Sequence, residues 1–339
     1  MVFHRSKKKG MKRYNYLVLA FKHEGKGYQI QRYIGQGKMG QSSIDALKVK
    51  DSDWFTNEAL KKKAQLASKH YSQGFLTRDE VLKLELVRYA FSAYCKHFFP
   101  NEVERLERDF ELDYIYSTTA TEGNTSTLAE VTRLLENGLS PKGRSLREIY
   151  EIRNYKDVLE YRKGFRKDIS MKFILRLHEL IQRDIDQYTL GALRRIEVGI
   201  SGSDVELVPA AFVEEELYKL LLWCSKEKDL LHPVELAARF HVRFENIHPF
   251  TDGNGRVGRE IFNWMVTRSG FPPLNFNVMR RDEYLDGLEK AHHGDYSLFM
   301  EYIIENYLEQ MRKRLGNNPL KEVLIFERTK KIKQKKETA

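Results

Sequence analysis

Between Asn246 and Asn263 the chain reads NIHPFTDGNGRVGREIFN. Twelve consecutive residues of it, His248 to Arg259, hold a histidine, an aspartate, an asparagine, two arginines and the glycines Gly253 and Gly255. A packed core does not call for this set, and the types divide by chemistry. A neutral His248 can take a proton from a hydroxyl near pH 7. Asp252 is the kind of hard oxygen ligand that Mg²⁺ uses one or two at a time, together with phosphate oxygens. Gly253 and Gly255 let an anion approach the backbone closely. Arg256 and Arg259, three apart, fall on one side of a helix and can address one polyphosphate. A base, a metal ligand, an anion cradle and cationic clamps are the parts of phosphoryl or nucleotidyl transfer.

The flanking sequence says how such residues would be positioned. ELAARFHVRFENI places Leu236, Phe240, Phe244 and Ile247 on one helical stripe. His248-Pro249 ends that helix, because proline disfavours helical geometry in the residue before it. From about Arg256 the pattern is helical again, with Val257, Ile261, Phe262 and Met265 sharing a face. TDGNG is therefore a loop feeding a helix N-terminus, where unpaired N–H groups and the helix dipole favour an anion. Helical periodicity runs through most of the chain from Trp54 onward, with Asp53 and Thr77 as N-caps and Gly138 as a helix stop. Residues 14–35 are an exception: YNYLVLAF, a HEGKG turn and YQIQRYIG predict a hairpin. Leu193 to Pro209, β-branched on both sides of SGSD, predicts a second one. The expected fold is mainly α, preceded by a small N-terminal β element and containing one β-hairpin. The expected organisation is a hairpin and linker over 1–50, a connecting helical region over 51–109, a core over 110–315 and a basic tail over 316–339.

Composition narrows the class. With 41% hydrophobic and 31% charged residues in 339, a sizeable core is available and wholesale disorder is not expected. No run of about 18 apolar residues predicts a membrane helix, and the basic, then apolar start lacks a signal-peptide cleavage site. Cys95 and Cys224 are the only cysteines, read as buried thiols of a cytoplasmic protein. The net charge of +10 suits either a phosphate-handling protein or a nucleic-acid partner. Twelve basic residues lie at the two ends, Arg5, Lys7, Lys8, Lys9, Lys12 and Arg13, and Arg328, Lys330, Lys331, Lys333, Lys335 and Lys336. Both groups read as solvated tails. A nucleic-acid-associated regulator stands as the alternative class, although the tail residues are not visibly interleaved with stacking aromatics. A metal site built on His241, His248, His292 and His293 is disfavoured by the proline that ends the helix at His248 and by the absence of a supporting pattern around these histidines.

The signature resembles that of the Fic family, His-Pro-Phe-x-Asp/Glu-Gly-Asn-Gly-Arg-x-x-Arg, at every fixed position: His248, Pro249, Phe250, Asp252, Gly253, Asn254, Gly255, Arg256 and Arg259. The resemblance extends over about residues 110–312. It implies a Fic-type helical core and transfer of AMP from ATP to a Ser, Thr or Tyr hydroxyl of a protein. His248 would then be the base and Asp252 the Mg²⁺ ligand. Gly253, Asn254, Gly255, Arg256 and Arg259 would hold the phosphates. LRRIEVGISGS is similar to the family's flap, which implies that Ile200, Ser201, Gly202 and Ser203 lie against the nucleotide. Tyr284 and His292 fall where relatives approach adenine, His292 standing where an asparagine is common. Gly255 occupies a position that kinase-like relatives fill with lysine, which favours adenylyl transfer over phosphorylation. Thr118-x-x-x-Glu122-Gly123 is similar to the family's inhibitory motif, implying that Glu122 pairs with Arg259 and restrains the enzyme. The partners so implied are ATP, Mg²⁺, a protein hydroxyl, the chain itself through self-modification, and a second copy as a homodimer; no membrane partner is expected. In some relatives the same glutamate supports removal of AMP, so a mainly de-AMPylating enzyme is the further alternative.

Overall fold

The computed structural model describes residues 1–71, 74–96, 98–199 and 205–324. The chain forms two compact units, one of Met1–His70, Thr77–Tyr94 and Met311 onward, the other of Tyr71–Leu76 and Cys95–Gln310.

The first unit opens with an antiparallel sheet of β1 (Val2–Lys9), β2 (Lys12–His23) and β3 (Lys26–Gln36), in that order. The predicted hairpin is β2–β3. Its two-residue turn, Glu24-Gly25, has positive φ at both positions (50° and 75°), as a twist-matched hairpin turn requires. The N-terminal basic group read as a solvated tail lies instead in β1 and the start of β2, with Lys7 opposite Tyr14 and Arg5 opposite Tyr16. Lysine-rich strands are poor strand formers by propensity, yet they suit a sheet edge, where charge discourages further pairing. Helix α1 (Gln41–Lys50) occupies the stretch read as linker, and α2 (Ser52–Ala67) has Asp51, without a side-chain capping bond, at its N-cap position and Asp53 in its first turn. Leu17, Ile44 and Phe55 form the buried centre, against which Val2, Leu19, Ile30, Ile34 and Trp54 pack. At an irregularity beside Tyr16, buried Asn15 accepts from the Ser6 hydroxyl at 2.6 Å and donates to the Gly37 carbonyl at 2.8 Å. Helix α3 (Arg78–Cys95) follows, started by Thr77, whose hydroxyl accepts from the Glu80 N–H at 3.3 Å.

The second unit is helical: α4 (Pro100–Thr121), α5 (Leu128–Asn137), α6 (Leu146–Arg153), α7 (Tyr155–Gly164), α8 (Met171–Gln182), α9 (Val213–Glu227), α10 (Pro233–Ile247), α11 (Asn254–Arg268), α12 (Arg281–His292) and most of α13 (Ser297–Leu315). Polar signals in the sequence set several ends. Thr127 and Ser145 form capping boxes with Glu130 and Glu148, and Gly138 closes α5 at φ 69°. Helix α11 is buried nearly all round, so it is a core helix and not a surface one. Its Gly258 is required by close packing on α10: a Cβ there would stand 2.6 Å from Glu245 Oε1 and 2.7 Å from His241 Nδ1. Cys224 is buried and Cys95 is only partly so; both are free of disulfides.

Candidate active site

Helix α10 delivers His248 and then stops. His248 sits at the helix C-cap with φ 47°, its N–H still donating to the Phe244 carbonyl at 2.9 Å. Its Nδ1 lies 3.3 Å from the Glu245 carbonyl oxygen. A carbonyl only accepts, so Nδ1 carries the proton and Nε2 is left with a free lone pair. Burial, with Arg194 nearby, holds the imidazole below its ordinary pKa, so it is neutral at pH 7. This is the state a general base needs.

The loop after it is fixed from within. Phe250 is fully buried and stacks on His178 at 3.8 Å between ring centroids. Asn254 accepts from the Phe250 N–H at 2.9 Å and donates to the Phe250 carbonyl at 2.8 Å. The Asn254 side chain therefore closes the loop. His178 Nδ1 accepts from the Gly191 N–H at 3.1 Å, so its Nε2–H donates to the Asp252 carbonyl, also at 3.1 Å. Burial lowers the His178 pKa to about 4. Gly253 has φ 83°, and a Cβ there would meet Gln182 Nε2 at 2.8 Å; glycine is needed on both counts.

Charge crowds around the start of α11. Arg256 and Arg259 are 1% and 0% exposed, and buried guanidinium groups require partners. Arg256 donates to Glu151 at 3.3 Å and to Asp252 at 3.0 Å. Asp252 also pairs with Arg147 and accepts from the Gly253 N–H at 2.6 Å. Burial raises the Asp252 carboxyl, but Arg256, Gln182 and Arg147 outweigh it and hold it down at about 2. Arg259 donates through Nε to Thr118 Oγ1 at 2.8 Å, and through Nη2 to the Thr118 carbonyl at 3.0 Å and Glu122 Oε1 at 2.7 Å. Both ends of the Thr118–Gly123 motif are thus in view: Thr118 and Glu122 grip Arg259, and Gly123, at φ 100°, follows the end of α4. Burial works against the Glu122 carboxylate, yet Arg259 and Arg256 lower its pKa.

The predicted residues are not all gathered. His248, Asp252, Gly253, Gly255, Arg256, Arg259 and Glu122 converge. Tyr284 reaches them only through its hydroxyl: it is 3% exposed, its hydroxyl lies 2.8 Å from His241 Nε2 and hydrogen-bonds Arg259, and its ring is packed by Phe276, Phe299 and Tyr302. Its ring is part of the buried aromatic packing beside Arg259. His292 lines a cleft of about 470 Å³ with Val208, Trp223, Arg243 and Asn246, and burial brings its pKa to about 4. Ile200, Ser201, Gly202 and Ser203 lie outside the described residues. The arms leading to them, 193–199 and 205–209, carry no strand pairing. They are instead tied to the signature: Arg194 N–H donates to the Pro249 carbonyl at 2.9 Å, Arg194 Nε to the His248 carbonyl at 2.8 Å, and Val208 N–H to the Asn246 carbonyl at 3.2 Å.

Several residues that shape the site carry no distinct sequence signal. Arg194, buried to 3%, reads as one more flap charge. Arg147 and Glu151 read as an ordinary i,i+4 surface pair. Arg281, whose Nε donates to the Thr121 carbonyl at 2.9 Å, holds the end of α4 beside Glu122 from 160 residues away in the chain.

Residues 168–266 match the Fic/DOC family model. The chain is 32% identical over 228 residues to the protein adenylyltransferase fic-1 of Caenorhabditis briggsae, covering 63% of this chain and 45% of that protein. It is 29% identical over 262 residues to the protein adenylyltransferase Fic of Culex quinquefasciatus, covering 74% and 49%. Among solved structures, Fic-1 (residues 134–508) from C. elegans is similar with a TM-score of 0.62 at 27% identity, over 82% of this chain and 78% of that one. A Fic domain containing signaling protein from Bacteroides thetaiotaomicron shares the fold with a TM-score of 0.59 at 24% identity, over 71% and 99%. Helical core, loop and likenesses together define a Fic-type protein. The chain belongs to the Fic family. It spans under half the length of the curated relatives it matches.

Proposed function

We propose that the protein transfers AMP from ATP to a hydroxyl side chain of a target protein, itself included, and that Glu122 restrains the reaction. The observation that carries the catalytic reading is His248. It is neutral, has Nε2 unprotonated, and sits at the entry of a loop that ends on a helix N-terminus. The relatives named as adenylyltransferases support the same reading. In the reaction the target hydroxyl oxygen bonds to the α-phosphorus, its proton passes to His248 Nε2, and the bond from the α-phosphorus to the bridging oxygen breaks, releasing diphosphate. Gly253 and Gly255 let the phosphates approach the backbone of α11, whose N-terminal dipole favours their charge. Arg256 and Arg259 would clamp the outer phosphates once released from their carboxylates.

The residues fit Mg²⁺. Asp252 is ionised at any physiological pH and 41% of its side chain is reached by solvent, and one carboxylate with phosphate oxygens is a common Mg²⁺ set. When bound, the ion would neutralise charge between phosphates. A cytoplasmic location belongs to the same proposal, supported by two cysteines carried as thiols. Among the described residues no helix is long and apolar enough to cross a membrane.

Incubation with α-labelled ATP and Mg²⁺, followed by mass spectrometry of the protein, tests the reading. The expected result is a covalent AMP on a Ser, Thr or Tyr side chain, with far more label in Glu122→Gly than in wild type. Label from γ-labelled but not α-labelled ATP would replace adenylyl with phosphoryl transfer.

A further inference from the structure

The N-terminal sheet has an end that its own folding does not explain. β3 pairs with β2 only from Tyr14 onward, where Tyr14 faces Gln36. Beyond that point the Gly37 N–H still donates to the Arg13 carbonyl at 2.9 Å, and the β1–β2 pairing then continues to its turn, with Lys7 opposite Tyr14, Lys8 opposite Arg13 and Lys9 opposite Lys12. Residues 6–13 are all exposed. Side chains alternate between faces of a strand, so Lys7, Lys9 and Lys12 project on one side of this two-stranded ribbon and Lys8 and Arg13 on the other. Two cross-strand pairs join like charges, which destabilises a ribbon left to itself. Residues 1–36 contain a single carboxylate, Glu24, and it contacts His23 and His70. The ribbon is thus cationic on both faces.

Next to it, on the same face as Lys7, lies an aromatic patch. Tyr33 meets Tyr16 edge-on at 5.6 Å and Tyr14 at 6.3 Å, with Lys7 Nζ 5.4 Å from the Tyr16 ring centre. Tyr33 is 52% exposed. The interleaving of basic and aromatic residues that the linear sequence hides is created by the pairing of β1 with β2.

We propose that this ribbon binds double-stranded DNA by entering the major groove. The groove is about 12 Å wide, which admits a two-stranded ribbon, and phosphates line both of its walls. A ribbon charged on one face would suit a flat anionic surface; charge on both faces matches two walls. The major groove of A-form RNA is too narrow to admit it.

The test uses the full chain and a fluorescently labelled 20-base-pair DNA duplex, followed by anisotropy at two salt concentrations. Binding in roughly the 10⁻⁶–10⁻⁴ M range near physiological salt is expected, tightening as salt falls. The variant Lys7→Gln/Lys8→Gln, altered on opposite faces at exposed positions, should bind at least about tenfold more weakly at low salt. Its log–log salt dependence should be shallower by about two, one per lysine. Self-modification in a Glu122→Gly background should be unchanged by the two substitutions, so the binding claim and the catalytic claim fail separately. Absence of duplex binding at low salt overturns the proposal, as does binding indifferent to Lys7→Gln/Lys8→Gln. Tighter binding to single-stranded RNA, lost in Tyr33→Ala, would overturn it in favour of stacking on the aromatic patch. Equal binding to phosphatidylserine vesicles would overturn it in favour of a membrane surface.

Discussion

Glu122 Oε1 lies 2.7 Å from Arg259 Nη2, and the same oxygen is 2.5 Å from where a Cβ on Gly255 would be. One carboxylate therefore does two things. It occupies Arg259, which the proposed function assigns to ATP, and it lies against Gly255 at the N-terminus of α11.

Replacing Glu122 with glycine should raise self-modification by roughly tenfold or more. A charge-assisted hydrogen bond of this kind is worth about 1.5–3 kcal/mol. Solvent reaches 29% of the Glu122 side chain, which places the pair toward the lower end. Glu122→Gly/Arg259→Ala should lose the gain, because the freed arginine is what the release supplies. Equal labelling of wild type and Glu122→Gly, followed by mass spectrometry, would reduce Thr118–Gly123 to a helix end. The restraint should also hold across neutral pH. The Glu122 pKa is lowered in the folded state, so the pair is present above the ordinary carboxylate range and is lost only as pH falls through the depressed value.

His248→Ala, made in the Glu122→Gly background, should abolish AMP transfer and leave ATP affinity within a few fold. The imidazole acts on the nucleophile and not on the phosphates. Calorimetry of ATP binding beside the labelling assay separates these effects; transfer at an undiminished rate would remove His248 from the chemistry.

Asp252→Asn should weaken Mg²⁺-dependent ATP binding while leaving metal-free binding little changed. Titrating ATP with Mg²⁺ and with chelator checks this. The same loss in both conditions would show that Asp252 works only by orienting Arg147 and Arg256.

Glu245 gives a stability prediction of opposite sign to Glu122. It is 6% exposed, and burial, with Glu122 nearby, pushes its carboxyl up to about 8. The folded protein keeps this proton between about pH 4.5 and 8 while the unfolded chain loses it, so stability falls as pH rises through that window. The cost is on the order of 4 kcal/mol by pH 8. Glu245→Gln should remove that slope, melting increasingly above wild type from pH 5 to pH 8 and converging with it near pH 4. Parallel melting curves for the two proteins at all pH values would show that Glu245 is ionised in the fold.

The local parts of the site were legible because their signals are local. His248-Pro249 must end a helix, Gly253 must bend, and the stripes of α10 and α11 read directly as core. The Thr118–Glu122 grip on Arg259 crosses more than 130 residues and was reached only through resemblance to a family. Arg194, Arg147 and Arg281 were invisible because an arginine looks the same in sequence whether it faces solvent or a buried carbonyl. Tyr284 shows the same limit: position along a helix gives a face, but not the His241 and Arg259 partners that its hydroxyl finds. The strand β1 was hidden by its lysines, whose poor strand propensity is offset at its other end, where Val2, Phe3 and His4 pair with Leu19, Val18 and Leu17 of β2.

Arg256 and Arg259 are each matched by carboxylates of Glu151, Asp252 and Glu122. The resting protein thus carries an internal imitation of a triphosphate, several negative charges laid against the groups that would otherwise be left uncompensated in its interior. On the proposed activity, ATP would trade places with that imitation. Nucleotide binding is then close to an exchange of like for like, and thermal stabilisation by ATP should be small in wild type and larger once Glu122 is gone.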